Sequence, residues 1–331
     1  MSYLGSFKKN FHAATKKLAA FFQKYKTYIS ILFAIFVLYL VATTIKDTDW
    51  PQVWQSVQAS STKHIVLAAL TALVSYAAYA AYDLFSSHVL KIKLAKLSAW
   101  FIAWISYSAN LNLGAIVGSL ALRYKLYSKL GLRAGDTSKI IGLSVTTNWV
   151  CYALLIGVVG LLNVEAVSKL AGVSEIAITI ILLVALTVII ALLFLPSNVL
   201  SKKLGLASKL EDFGISKIKS LYPGLAIGVV HWSFMALTMY FAFEQEVDFL
   251  TIFTCVLLSC IAGAISHVPG GLGVIEAVFV TLLQSQIDKH EIIASIFVYR
   301  AAFYIFPALF TFIFYLSSQF LMRRSQTQST A

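Results

Sequence analysis

The chain has 331 residues, of which 59% are apolar and only 12% charged, with a formal net charge of +12 and a mean hydropathy of +0.82. Soluble domains run nearer one half apolar and one quarter charged, and a chain this apolar would show large greasy patches to water. A soluble enzyme, a nucleic-acid binder and a disordered chain are excluded, and the excess of Lys and Arg is read as the basic loops of an all-α polytopic membrane protein.

Residues 1–26 form a basic amphipathic N-terminal segment. They carry six lysines, interleaved with Phe7, Phe11, Ala14, Leu18, Phe21 and Tyr25 at spacings of three and four. Such a face either lies on an anionic leaflet or serves as a basic flank that sets topology. The basic region is too long for a cleaved signal peptide. Stretches 27–45, 64–86, 139–162, 175–195, 221–243 and 291–320 are apolar and long enough to span, since about 20 residues cross the ~30 Å core. Two further apolar stretches, 98–122 and 250–286, are interrupted by polar or helix-breaking residues. The basic stretch 196–220, with Glu211 and Asp212, suits a short interfacial helix, and 321–331 is a tail.

The charges orient these segments. Twenty-one of the 26 Lys and Arg lie in 1–26, 87–97, 123–139, 196–220 and the tail. The intervening loops hold only Lys46, Lys63, Lys169 and Lys289, but carry nine acids, from Asp47 to Glu291. This positive-inside pattern places both termini in the cytoplasm, with the protein in the cytoplasmic (inner) membrane. Stretch 98–122 then has basic loops on both sides and 250–286 acidic loops on both sides, so each is expected to enter and leave on one face. The expected architecture is six spanning helices plus two re-entrant helical hairpins. The triplets 64–162 and 221–320 are related by inversion, an arrangement recurrent in transporters. Similarity between the halves is slight, with Gly114–Ser119 laid over Gly271–Glu276.

The first hairpin is expected to turn around Ser108–Gly114, with Asn110, Asn112, Gly114 and Gly118 near its tip. The second turns around Ser266–Gly273, with His267, Pro269, Gly270, Gly271 and Gly273. Non-helical backbone at membrane depth needs protein or a wet cavity to satisfy it, and the two turns suggest a cavity between them. Asn110, Asn112 and His267 are placed to hydrogen-bond such backbone.

Few ionisable groups lie inside the apolar segments, and each needs a partner or water. Glu276 follows the glycine turn and Arg300 lies in the last helix. They either face a shared cavity, where the planar guanidinium suits a lipid phosphate, or form a structural ion pair. Arg123 either snorkels to the interface or guides an anionic head group. Asp83 pairs with a nearby lysine. Tyr299, Tyr304 and Pro307 surround Arg300, and Pro307 requires a neighbour to satisfy the carbonyl it frees. Neither His231 nor His267 has a second ligand at helical spacing, and Cys151, Cys255 and Cys260 read as small packing residues, so no metal or cofactor site is expected.

His267-Val-Pro-Gly-Gly-Leu-Gly-Val-Ile-Glu276-Ala resembles the signature of the lysylphosphatidylglycerol synthase transmembrane-region family. Gly114-Ala-Ile-Val-Gly-Ser-Leu-Ala-Leu-Arg123, followed by Leu130-Gly131-Leu132, is similar to a second recurrent motif, and Tyr299-Arg300 with Pro307 to a third. The resemblance covers about 25–320. In that family a membrane flippase part moves aminoacylated phosphatidylglycerol and is fused to a soluble aminoacyl-transferase domain. The resemblance implies the flippase part without the transferase, hence a non-enzymatic lipid transporter. Arg300, Glu276, Arg123 and Tyr304 would bind or couple an anionic or modified phospholipid. The alternative is a non-transporting accessory that docks a lipid-modifying enzyme. Small-residue helix faces also allow a homo-oligomer.

Overall fold

The computed structural model describes residues 49–114, 119–194, 218–266 and 268–312. The readings on 1–26, 27–45, 196–217, Gly118, His267 and the tail lie outside the described residues, as does the side chain of Pro269.

Every regular element among the described residues is helical. In chain order they are α1 (Trp50–Ala59), α2 (Thr62–Val89), α3 (Lys96–Leu113), α4 (Leu122–Lys129), α5 (Ala134–Leu162), α6 (Val164–Ala171) and α7 (Glu175–Phe194). Then follow α8 (Tyr222–Ala242), α9 (Phe249–Ser266), a 3-10 turn at Pro269–Gly271, α10 (Val274–Leu283) and α11 (Lys289–Phe312). The α-helix of α11 gives way to a π turn at Ala301–Ile305. Six helices, α2, α5, α7, α8, α9 and α11, are long and apolar enough to cross a membrane. One of them, α9, is the first limb of the broken stretch 250–286.

Helix ends follow local chemistry. Asp49 caps α1, its Oδ1 accepting the Gln52 N–H at 3.2 Å, and Pro51 occupies the first turn, where its missing N–H costs nothing. Stretch 98–122 breaks at the far end of Ser108–Gly114. Helix α3 runs through Asn110 and Asn112 to Leu113 and stops at Gly114, whose φ of +85° is open to glycine but not to the β-carbon of the preceding residues. Asn112 keeps its own turn helical, its Nδ2 donating to the Ser108 carbonyl at 2.9 Å.

The core is built around α2 and α8, which pack along each other and against α5. Close approach is possible because α8 presents Gly224 and Gly228 there. A β-carbon at Gly224 would meet Phe85 at 2.6 Å and Thr147 at 2.7 Å. One at Gly228 would run into Tyr82 and the Cys151 Sγ at 2.6 Å. Small residues four apart are how helices approach in lipid, where no hydrophobic effect drives them together. Gly228→Val is expected to lower the thermal unfolding midpoint sharply in detergent. Gly263→Ala, with nothing within 4 Å of its β-carbon, should leave it unchanged. Equal midpoints for the two variants would refute this packing.

Ser75 and His231 lock α2 to α8. Ser75 Oγ donates to the His231 carbonyl at 2.9 Å, and His231 Nδ1 lies 3.1 Å from the Ser75 carbonyl. Ser75 Oγ also lies 2.9 Å from Nδ1, and Nε2 lies 3.4 Å from Tyr107 Oη, so both ring nitrogens face hydrogen-bonding partners.

Two units fold back on themselves. Helices α9 and α10 pack together, and Glu246, which precedes α9, lines one cleft with Gln284–Asp288, which follow α10. Likewise α3 and α4 pack together, and Tyr127 near the end of α4 sits against Ala99 in the first turn of α3. One end of the bundle gathers Glu244, Glu246, Asp248, Asp288 and Glu291, and we call it the acidic end. At that end, burial and the neighbouring Glu291 and Glu244 carboxylates raise the Glu246 carboxyl above its ordinary range. Ser61 N–H donates to Glu244 Oε1 at 2.6 Å there, fixing the start of α2 to the turn after α8.

Candidate functional site

The break between α9 and α10 is held open by glycine. Gly270, Gly271 and Gly273 have φ of +64°, +58° and +77°, the left-handed region that disfavours any β-carbon. Glu276, in the first turn of α10, reaches back so that its Oε2 accepts the Gly273 N–H at 2.9 Å. The carboxylate thereby satisfies a helix N-terminus and sits at the positive end of its dipole.

Arg300 closes this turn from α11. Its Nε donates to Glu276 Oε1 at 2.9 Å and its Nη2 to Oε2 at 3.0 Å, the forked geometry that a planar guanidinium alone provides. The same group donates to the Gly270 carbonyl from Nη1 at 2.9 Å and to the Gly271 carbonyl from Nη2 at 3.2 Å. One side chain thus holds the carboxylate and the backbone of the glycine turn together. The Tyr304 ring packs with its centroid 5.5 Å from the guanidinium carbon. Of the two readings open for Glu276 and Arg300, the ion pair is formed, and it also carries the turn.

The two breaks meet. A β-carbon on Gly270 would touch the Leu111 carbonyl at 3.4 Å, so the end of α3 lies against the glycine turn. Asn112 Nδ2 also faces the Tyr304 carbonyl at 3.4 Å, within the π turn of α11. Such turns leave carbonyls without a helical partner and recur at functional sites. Pro307, which has no N–H, adds to the deficit, because in α register it would serve the Phe303 carbonyl. Tyr76 of α2 supplies the missing donor, its Oη donating to Phe303 O at 2.9 Å. Tyr76→Phe is expected to destabilise the protein by about 1–3 kcal/mol, the cost of an orphaned buried acceptor. Pro307→Ala in the same chain returns an N–H to that turn and should recover part of the loss. A double variant no better than Tyr76→Phe would disprove the assignment.

Arg123 forms a second centre. It does not snorkel: its side chain is completely buried beside Asp83, with Nη2 3.4 Å from Asp83 Oδ1. Asp83 does not use a lysine. Its Oδ2 accepts from Tyr127 Oη at 2.6 Å and its Oδ1 from Ser144 Oγ at 2.9 Å. The carboxylate is therefore well served and the guanidinium is not. Nε, Nη1 and Nη2 of Arg123 make no hydrogen bond of good geometry among the described residues; Asp83 Oδ1 lies 3.4 Å from Nη2, and the Tyr79 side chain, its ring centroid 5.8 Å from the guanidinium carbon, brings its hydroxyl alongside. With Asp83 as charge partner and the Tyr79 hydroxyl beside it, the five-donor guanidinium still has more donors than partners among the described residues.

Aromatic rings join the two centres. Tyr79, beside Arg123, stacks on Tyr107 at 3.8 Å; Tyr107 meets Tyr76 at 4.8 Å, and Tyr76 meets Phe303 at 5.3 Å. Sequence reading passed over Tyr76, Tyr79, Tyr107, Tyr127 and Ser144. The signal for part of this was present, since Tyr76, Tyr79 and Asp83 fall at i, i+3 and i+7, one face of α2. No cluster of three His, Cys, Asp or Glu able to hold a metal occurs among the described residues.

Comparison with known proteins agrees with this frame. Residues 28–310 match the family described as the lysylphosphatidylglycerol synthase TM region. The chain is 31% identical to inner membrane protein YbhN of Escherichia coli (strain K12) over 88% of its own length and 91% of that protein. It is 23% identical to phosphatidylglycerol lysyltransferase of Bacillus subtilis (strain 168), over 87% of this chain but 34% of that one. An uncharacterized protein of Synechocystis, slr0712, is 23% identical over 62% of this chain and 64% of its own. By the extent of the family match and by its kinship with YbhN, this chain is a multi-pass membrane protein that belongs to the lysylphosphatidylglycerol synthase transmembrane-region family.

Proposed function

We propose that this protein carries an anionic or aminoacyl-modified phospholipid between the leaflets of the membrane and performs no covalent chemistry on it. The units α3–α4 and α9–α10 act as re-entrant hairpins, entering from opposite faces and meeting at Gly270 and Leu111. They are the broken elements of an inverted repeat whose triplets are α2 to α5 and α8 to α11. Both termini face the cytoplasm, so the acidic end of the bundle lies outside.

The observation that carries this reading is the completely buried Arg123 guanidinium, whose donors outnumber its partners among the described residues, Asp83 and the Tyr79 hydroxyl. A lipid phosphate supplies planar-matched acceptors to such a group. Arg300 and Glu276, whose polar atoms are committed to the glycine turn, act as the latch that holds the second hairpin. Tyr304 packs on that latch, and Asn112 reaches the Tyr304 carbonyl from the end of the first hairpin. The aromatic column between the centres gives the latch and the Arg123 site a common packing. The similarity to phosphatidylglycerol lysyltransferase, a name that specifies a phospholipid, supports a lipid as cargo.

The test is lipid exchange in liposomes that contain only this protein, read as reductant access to a tail-labelled phosphatidylglycerol. Rapid exchange that Arg123→Gln removes is the expected result. The lysyltransferase relative is about three times longer than the stretch matched here, which favours a second reading: docking to a lipid-modifying enzyme. No exchange from folded protein across several anionic lipids, with and without a proton gradient, would leave the docking reading standing in place of transport.

A further inference from the structure

The turn between α8 and α9 stores backbone strain. Glu244 and Gln245 have φ of +53° and +69°, two successive residues with side chains in the left-handed region. Such a conformation costs about 1–2 kcal/mol per residue and persists only where the surroundings hold it. Part of the hold is local. Glu244 N–H donates to the Phe241 carbonyl at 3.0 Å, Gln245 N–H to that of Tyr240 at 3.2 Å and Glu246 N–H to that of Phe243 at 3.0 Å.

The rest of the hold comes from α2. Ser61 starts that helix without a side-chain cap of its own. Glu244 serves in its place: Oε1 accepts the Ser61 N–H at 2.6 Å, and the carboxylate sits at the positive end of the helix dipole. Its other oxygen, Oε2, lies 3.6 Å from His64 Nδ1, in the first turn of α2. That nitrogen is buried and makes no hydrogen bond among the described residues. One carboxylate therefore joins a strained turn to a helix start and to an imidazole, the side chain whose charge changes between about pH 5 and 8.

The neighbouring charges act in the same direction. At this end Asp49 precedes α1, Lys63 lies beside His64, Tyr240 closes α8, Glu246 and Asp248 share the turn, and Asp288, Lys289, His290 and Glu291 begin α11. Burial, and then the Glu291 and Glu244 carboxylates, raise the Glu246 carboxyl. Glu246 therefore takes up a proton more readily than a free carboxylate, and doing so relieves its repulsion with Glu244. A charged His64 is held best with the Glu244 carboxylate against it. The closed turn is thus favoured at low pH and loses that support as the pH rises and His64 and Glu246 give up their protons.

We propose that Glu244 is a proton-dependent clasp. With His64 charged it holds the α8–α9 turn, and with it the root of the α9–α10 unit, against the start of α2. With His64 neutral the hold slackens and the strained turn relaxes. The clasp governs motion at the acidic end of the bundle whatever the protein carries.

Hydrogen exchange of the full chain in lipid nanodiscs tests this without reference to transport. Protection, corrected for intrinsic exchange rates, is compared at about pH 5.5 and about pH 8. Peptides covering 61–66 and 243–248 are expected to be about three- to fivefold better protected at the lower pH, and a peptide covering 99–107 of α3 equally protected at both. Glu244→Gln keeps an acceptor for the Ser61 N–H but no charge, so it should lose most of the pH dependence, as should His64→Gln. Glu246→Gln should keep most of it. Protection of the wild-type protein that is the same at both pH values or greater at the higher one, or a full pH dependence that survives His64→Gln, would overturn the proposal.

Discussion

Replacing Arg300 by alanine is expected to abolish lipid exchange while leaving the protein inserted in the membrane. The side chain makes four hydrogen bonds, two to Glu276 and two to the carbonyls of Gly270 and Gly271. Its loss strands a half-buried carboxylate and two backbone acceptors at once. Removing one partner of a buried ion pair costs about 3–5 kcal/mol, so unfolding in detergent should come markedly earlier. Arg300→Lys separates charge from geometry. A lysine keeps the charge but cannot hold a carboxylate and two carbonyls through one planar fork. It should restore part of the stability and little of the exchange. Wild-type exchange from Arg300→Ala, in protein of normal abundance, would remove Arg300 from the mechanism.

The second large effect is expected at Asp83. Asp83→Ala leaves the Arg123 guanidinium buried without its charge partner, with only the Tyr79 side chain beside it among the described residues. The loss should again reach about 3–5 kcal/mol, among the largest for a single substitution. Removing both charges, with Asp83→Asn and Arg123→Gln together, should be far less destabilising than Asp83→Ala, because no bare charge remains. Exchange should stay absent in the double variant, since the proposed phosphate ligand is gone. A thermal midpoint of the double variant equal to that of Asp83→Ala would show that the pair is not coupled, and restored exchange would show that Arg123 does not touch the lipid.

Both predictions separate holding from carrying. Arg300 is saturated with protein partners and Arg123 is not, so the first is suited to fix a turn and the second to accept an anion. Residue type alone does not make that distinction. Both are single arginines in apolar surroundings, each with an acid elsewhere in the chain. The sequence brings Glu276 and Arg300 to one site but leaves open whether they face a shared cavity or form an ion pair. It gave Asp83 a lysine, because Arg123 is forty residues away in sequence and only the packing of α4 on α2 and α5 brings it near.

Much else was determined locally. Composition decided membrane or water, and hydropathy placed apolar stretches over α2, α5, α7, α8 and α11, because a span must hide its own backbone and stay apolar for some 20 residues. Glycine marked both breaks, since Gly114, Gly270, Gly271 and Gly273 adopt backbone angles that other residues avoid. Pro307 announced a carbonyl in need of a donor. What the sequence did not carry was the identity of that donor. Tyr76 lies far from Phe303 along the chain, and any of the chain's hydroxyls would have served equally by type. The same holds for the contact of Gly270 with Leu111, for the Ser75–His231 lock and for the tyrosines between the arginines. Periodicity and conformational preference act within a few residues, so they survive in a linear reading. Partnership between buried polar groups depends on how close two helices come, and here Gly224 and Gly228 decide that approach only once α8 is laid against α2.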